Sequence, residues 1–470
     1  MLQGWNEAFL LKHEFGNCPP RSRLQHSDSN HHPCQYNQEI GARTSCVLHF
    51  LRCNGLPARK IGVHLKVSPF SLVTTVFRAF RHRDYRLLWT SLLLGGSGYW
   101  ILVTAQGWLV LELTDSAFWV GMVVFCAGIP PLFLAPFGGV FADRFDQRNL
   151  LIFCRVGSVF LILALATITT MGLVTVWHIV VISILAGIIW AVGDPTVMAI
   201  VPRVVAMEDL MNAVALSSTS WQVSRFIGPA IAGALIGAVS IGGCFYFAGV
   251  SYVLALLLIL LMRSLPAHSV AQQATVLENL SEGVGYVVKN RTLLMIMLLV
   301  TVACLFALPY AWMMPVFARN VLGRDVGGYS QLMMATGAGA IAGALTVASS
   351  GRFQRKGWLL IVTGLAFSVT LVLFAMSKSF FLSLVLAVLV AATAAIFFAV
   401  ANTLIQTIIP DHFRGRVMGL YVIIWYLPGS LIIGAAADRV GVQLAVAAGG
   451  LVCLVSILAA ALRFPALRRL

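Results

Sequence analysis

Gly138-Gly139-Val140-Phe141-Ala142-Asp143-Arg144-Phe145-Asp146-Gln147-Arg148 is the stretch on which the reading of this chain turns. It follows one long apolar run and precedes another, so it is the short connection between two helices in a lipid phase. Small residues at its start let the helices approach, and the charges that follow pin the turn with ion pairs. Gly139, Asp143, Arg144 and Arg148 are therefore candidates for a conformational switch at one end of a helical bundle. Asp143 is expected to pair with Arg144, Arg148 or the start of the eleventh span when that end is closed.

The flanking runs recur along the chain. Apolar residues make up 59% of the 470 and charged residues 10%, which excludes an ordinary soluble globule. A helix needs roughly 20 apolar residues to cross about 30 Å of hydrocarbon. Twelve runs meet that test: Leu87–Leu113, Phe118–Ala142, Leu150–Met171, Trp177–Val201, Ala215–Val239 and Cys244–Met262, then Leu293–Phe317, Tyr329–Ser349, Trp358–Met376, Phe381–Ile408, Val417–Ala437 and Val442–Leu462. The fold expected is an all-α membrane protein of twelve transmembrane helices.

The formal net charge of +15 invites a nucleic-acid partner, but its distribution argues against one. With the N-terminus placed in the cytoplasm, eighteen Lys and Arg from Arg78 onward fall on the inner side. The outer loops hold only Arg319, Arg324, Lys378 and Arg439. Positive charge is retained on the cytoplasmic side during insertion, so the asymmetry sets orientation. Both termini are expected in the cytoplasm, with the chain in a bacterial inner membrane and no nucleic-acid partner. Cys126, Cys154, Cys244, Cys304 and Cys453 fall in spans and read as small apolar residues. The four other cysteines, within the first 53 residues, show no C-x-x-C pair. No metal or cofactor site is expected.

Residues 1–76 are different material, read as a disordered cytoplasmic extension. Two alternatives stand beside that reading. His26, His31, His32 and Cys34 could form a metal-sensing tail, or translation could start at a codon such as that of Val67. The remainder divides into a six-helix half at 77–262, a linker at 263–292, a second half at 293–463 and a basic tail at 464–470. Within the linker, Val276, Leu280, Val284 and Val287 fall at helical spacing, as in an amphipathic helix on the inner membrane surface. An internal repeat supports the division. Gly351-Arg352-Phe353-Gln354-Arg355-Lys356 aligns with Asp143 to Arg148 at an offset of 208, with Gly351 in the place of the acid. Paired halves of this kind are a common transporter architecture.

Only Arg155, Asp194 and Arg225 are ionisable well inside the spans. At 1.5 Å per residue they lie roughly 10, 13 and 15 Å from the inner face, on three consecutive spans. Similar depth suggests one network, either a structural ion cluster closing the inner half of the pathway or a site where Asp194 takes up a proton or competes with substrate for an Arg; the remaining reading is that the helices turn these groups apart. Desolvation and neighbouring Arg act on that carboxyl in opposite directions. Such a cluster would favour an anionic or catechol-like substrate over a cationic drug. In span five, Gly228-Pro229 kinks the helix and lets a neighbour pack at the kink. Tyr99 and Gln106 on span one, Gln222 on span five, Tyr310 on span seven, and Asn402 and Gln406 on span ten are candidate cavity residues, each also readable as a helix-to-helix hydrogen bond.

The turn after span two resembles the loop signature of the major facilitator superfamily, G-x-x-x-D-R-x-G-R-R counted from Gly139. Asp146 and Gln147 depart from it, where that family usually has Gly and Arg. Ser224 to Gly233 resembles the span-five motif of the family's exporters, G-x-x-x-G-P-x-x-G-G, with Ser224 and Ala232 replacing two glycines. A longer similarity, from about Phe77 to Leu462, is carried by Gly107–Ser116, Pro195–Pro202, Asn212-Ala213, Arg225–Pro229 and Arg414–Met418. It is to the drug and siderophore exporter branch, which includes macrolide and enterobactin exporters. The resemblance implies two pseudo-symmetric six-helix halves and proton-driven efflux of a small amphipathic molecule by alternating access, from a monomer. In span one, Gly98-Tyr99-Trp100 lacks the acid frequent at the middle position, which leaves Asp194 as the coupling candidate and Glu112 next. An importer of the same fold, or a polytopic receptor or enzyme, are the competing readings. No G-x-x-x-x-G-K-[ST], H-E-x-x-H or G-x-S-x-G occurs in the chain, so ATP-driven pumping and these hydrolytic mechanisms lack residues.

Overall fold

The computed structural model describes residues 77–263, 276–349 and 355–469, and every regular element among them is helical. The extension at 1–76 lies outside the described residues. In hydrocarbon each backbone N–H and C=O must find its partner inside the segment, and the helix does this locally. The first six spans are α1 Arg83–Thr114, α2 Ala117–Arg144, α3 Gln147–Thr170, α4 Val176–Val204, α5 Leu210–Ala238 and α6 Ile241–Leu260. Helix α7, Val276–Lys289, precedes the second six. Those are built from α8 Arg291–Val302, α9 Val326–Ser349, α10 Lys356–Met376, α11 Phe380–Ile408, α12 Asp411–Ile424 with α13 Gly429–Val440, and α14 Val442–Arg463.

Local chemistry sets the boundaries. α1 ends at Asp115, whose φ of 50° is the left-handed turn that Asp tolerates at a helix end. Asp146 caps α3, its Oδ1 accepting from the Asn149 N–H at 2.9 Å. Ser240 and Asn290 do the same for α6 and α8. The residue that departs from the family signature at position 146 thus has a local duty, as a helix cap.

The repeat is visible in the helix starts. Arg83, Ala117 and Gln147 recur as Arg291, Val326 and Lys356, 208 or 209 residues on. Within the first half α2 packs on α4, α1 on α5 and α6, and α3 on α6. Between the halves the principal contacts are α5 with α9 and α2 with α13, a pair that the repeat exchanges.

Two expected continuous spans are interrupted. Span seven passes from α8 into wide and tight turns at Ala303–Ala307 and Leu308–Ala311, where Pro309 removes a backbone donor. Span eleven breaks at residues 425–428, where Pro428 ends the run of helical bonds and α13 restarts at Gly429. Eleven of the twelve spans are long and apolar enough to cross a membrane by composition alone. The exception is α5, whose Ser217, Ser218, Thr219, Ser220, Gln222, Ser224 and Arg225 dilute its apolar character. Part of that polarity lies inside the bundle, where Ser220 and Ser224 are buried, while Ser218 and Thr219 are exposed.

Three smaller features follow. α7 forms, but it docks on α12 through a Tyr286–Phe413 ring stack at 4.6 Å and a Glu282–Arg416 ion pair. On its expected apolar face Val287 is buried while Val284 stays exposed. In the basic tail Pro465–Arg469 forms a short helix with Leu467 buried. The five span cysteines are all buried, as small apolar residues would be.

Candidate functional site

A cavity of about 680 Å³ opens among α1, α2, α3, α4 and α5, with the second half contributing Trp312, Tyr329, Trp425 and Tyr426. It extends to Leu151, Val201 and Val214, close to the end of the bundle that carries both described termini. The opposite end is sealed. There Arg319 pairs with Asp115 at 3.4 Å and donates to the Leu111 carbonyl at 3.2 Å. Trp108 stacks on Tyr329 with centroids 6.0 Å apart. Asp438 on α13 accepts from the Ser116 hydroxyl at 2.5 Å and from the Ala117 and Phe118 N–H groups at 2.7 and 3.2 Å. It therefore holds the N-terminus of α2 from the other half. One helical turn deeper, the Ser430 hydroxyl donates to the Gly121 carbonyl at 3.1 Å.

One wall of the cavity is aromatic. Tyr99 stacks on Trp190 at 5.2 Å and tilts against Trp221 at 5.5 Å, and the two indoles meet at 5.6 Å. Trp100 backs the cluster from outside the cavity, 5.8 Å from Trp221. Trp425 and Tyr426 come from the break in span eleven, so the interruption places rings where a regular helix would carry its backbone past the site. Of the expected cavity residues, Tyr99 and Gln106 line it, and Gln106 donates to the Ser183 hydroxyl at 2.9 Å. Gln222, Tyr310, Asn402 and Gln406 do not line it. Gln406 donates to Asn402 at 3.0 Å, an i, i+4 pair on one helix, and Tyr310 is buried against Phe374.

The expected network of Arg155, Asp194 and Arg225 does not form. Asp194 makes no ion pair with either guanidinium within 4.0 Å. Depth along a helix fixes level but not direction, and at 3.6 residues per turn the three side chains diverge. Arg155 turns towards α1 and α6, its guanidinium 5.4 Å from the centre of the Tyr252 ring. A Cβ on Gly95 would sit 2.7 Å from that guanidinium, so the glycine is what makes room for it. Arg225 lies outside the cavity lining, 5.3 Å over Trp100 and within electrostatic reach of Tyr310. Asp194 is the only acid among the lining residues, exposed to the cavity and within electrostatic reach of Tyr426.

Gly228 and Pro229 are buried in α5, where a Cβ at 228 would meet the Trp100 Cβ at 2.5 Å and the Ser97 carbonyl at 3.1 Å. The glycine is what lets α1 pack this close to α5. Gly139, Asp143 and Arg144 belong to the last turns of α2, and the side-chain pairing expected of Asp143 lies outside the described residues. Arg148 donates to the Ile259 and Leu260 carbonyls at 3.3 and 2.6 Å, tying the start of α3 to the end of α6. Gln147, the second departure from the family signature, accepts from Arg203 at 3.1 Å and so links α3 to α4.

Sequence reasoning missed Trp190, Trp221, Tyr252, Trp425 and Tyr426. A signal was available for two of them. Trp190 precedes Asp194 by four residues and Trp221 precedes Arg225 by four, which puts each indole on the face of a charged group.

Comparison with known proteins bears on the whole of this architecture. A family model described as transmembrane secretion effector matches residues 74–469. Among curated proteins, the chain is similar to the staphyloferrin A transporter of Staphylococcus aureus, 32% identical over 165 residues. That match spans 35% of this chain and 41% of the relative. Macrolide efflux protein A of Streptococcus pyogenes is 23% identical over 356 residues, 73% of this chain and 86% of that protein. Among solved structures, a mutant of the nucleoside transporter NupG superposes with a TM-score of 0.65 at 12% identity, over 81% of this chain and all of that one. At such identity the likeness is one of fold.

Proposed function

Since the chain belongs to the transmembrane secretion effector family of major facilitator transporters, we propose that it exports a small amphipathic molecule in exchange for protons. The observation that carries this reading is the lone cavity acid, Asp194, exposed opposite an aromatic wall. With both termini in the cytoplasm of a bacterial cell, as the basic loops favour, the sealed end faces outward and the cavity is the inward-facing loading chamber. Substrate enters from the cytoplasm or inner leaflet, lays an apolar ring against Tyr99, Trp190 and Trp221, and presents a hydrogen-bond donor or cation to Asp194.

The missing ion pair favours another coupling route over release of an Arg partner. Direct competition replaces it. Asp194 holds either substrate or a proton, and a carboxylate that carries one cannot hold the other. In the outward-open state a proton displaces the substrate; in the inward-open state the proton leaves and substrate reloads. The halves alternate about the two symmetry-exchanged contacts, α5 with α9 and α2 with α13. The switch residues Asp143, Arg144 and Arg148 would stabilise the opposite, inward-closed state at the termini end. The macrolide and staphyloferrin A relatives support a substrate in the drug or siderophore class, and a single chain is expected to suffice. The test is a transport panel in inverted vesicles. Uptake driven by an interior-acid pH gradient and abolished by a protonophore supports the proposal. Accumulation indifferent to the gradient refutes proton exchange.

A further inference from the structure

The cavity wall carries one charge of each sign, and neither is satisfied. Among the described residues Arg155 takes no hydrogen bond and no ion pair; its Nε is buried without a partner, and its electrostatic neighbours are the Tyr252 ring and the adjacent Cys154 thiol. Asp194 likewise takes none. A ring face offsets only part of the desolvation of a guanidinium, and Arg stays charged at any pH the protein meets. The two groups lie at one level on neighbouring helices: a Cβ on Gly193 would stand 3.7 Å from the Cys154 Cβ, and Asp194 and Arg155 are the next residues along. They diverge from that crossing rather than meet. Arg225 shares the buried, partnerless Nε but points away from the cavity, to Trp100, and is out of a ligand's reach. The room for the Arg155 guanidinium is made by Gly95, itself a lining residue, so the cradle is part of the site.

We infer that the cavity selects a dipolar substrate, an aromatic molecule that offers a cationic group to Asp194 and an anionic group to Arg155. The inference rests on the exporter reading and narrows its substrate class. A singly charged ligand would satisfy one wall group and leave the other bare. An amphoteric one satisfies both, and its ring meets the face of Tyr99, Trp190 and Trp221. The division of labour also fits exchange. Arg155 is the fixed anchor, and Asp194 is the position at which a proton and the ligand's ammonium compete.

The experiment uses the full chain in lipid nanodiscs with no pH gradient, and three forms of one fluorophore. Nε-dansyl-lysine carries both charges, Nε-dansyl-lysinamide only the ammonium, and Nα-acetyl-Nε-dansyl-lysine only the carboxylate. Energy transfer from the cavity tryptophans to dansyl reports binding, with protein-free nanodiscs as blank. The zwitterion is expected to bind about tenfold or more tighter than either derivative, the scale of one charge-assisted hydrogen bond. Arg155→Gln should bring the zwitterion down to the affinity of the amide, and Asp194→Asn down to that of the acetyl form. Arg155→Lys should restore part of the preference. If Arg155→Gln does not fold, Gly95→Ala displaces the guanidinium while keeping its charge, and should reduce the same preference. An amide that binds as tightly as the zwitterion, a preference untouched by every folded Arg155 or Gly95 variant, or no binding of any of the three overturns the inference. Proton-driven efflux of singly charged compounds alone would sink it and leave the exporter reading standing. A zwitterion preference in a protein whose transport ignores the pH gradient would do the reverse.

Discussion

Asp438→Ala should open the sealed end of the bundle. The Asp438 carboxylate takes the Ala117 and Phe118 N–H groups and the Ser116 hydroxyl, while Ser116 itself accepts from the Trp119 N–H at 3.4 Å. Asp438 and Ser116 thus share the capping of α2, and the Asp438 share crosses between the halves. A side-chain cap is worth about 1 kcal/mol, and a carboxylate near a helix N-terminus adds about 0.3–1 kcal/mol when exposed. Asp438 is exposed, which keeps the dipole contribution at its lower end. The sum is about 1.3 kcal/mol, all of it lost when α2 and α13 part, which is just under tenfold in the ratio of open to sealed states. Asp438→Asn keeps one acceptor oxygen and should move the ratio by about half as much on the free-energy scale. Nitroxides at Leu113 and Val440, both exposed at that end, read the change by pulsed dipolar spectroscopy once Cys18, Cys34, Cys46 and Cys53 are replaced by Ser. A longer-distance population should grow in the order Asp, Asn, Ala. An Ala variant whose distance distribution matches the parent would refute the cap across the halves.

Two further outcomes follow from the packing. Gly228→Ala adds a methyl against the Trp100 Cβ and should lower stability by about 1–3 kcal/mol; Gly237→Ala on the same helix, with nothing within 4 Å, is the control and should not lower the melting temperature. Equal melting temperatures for the two would count against the close α1–α5 approach. Arg148→Ala removes two bonds to the last carbonyls of α6, one of them exposed, and should lower stability by about 1–2 kcal/mol with partial rescue by Lys. An unchanged thermal midpoint would show that the tie does not hold α3 to α6.

The sequence carried the fold further than it carried the site. Span number and the repeat were legible because each crossing demands an apolar run of fixed length, and the repeat shows in the starts of α1 to α3 and their partners. α5 was read from its apolar run at Ala215–Val239, yet the polar residues of its first half leave it the one span that composition does not carry in the structure. The site was harder, since lipid-facing and core-facing residues are both apolar and periodicity hardly separates them. The levels of Arg155, Asp194 and Arg225 could be counted, but their directions depended on where Gly95, Tyr252 and Trp100 stood on other helices. Trp425 and Tyr426 could not have been placed from periodicity at all, because they reach the cavity through a break in the helix that carries them.

The central claim is that Asp194 exchanges a proton for substrate. It is tested most directly by Asp194→Asn in inverted vesicles, with gradient-driven accumulation and gradient-free exchange of labelled substrate measured side by side. The account predicts that accumulation against a concentration gradient is lost while exchange across the membrane persists, because the neutral amide still binds and the halves still alternate. An Asn variant that accumulates substrate as the parent does would contradict it.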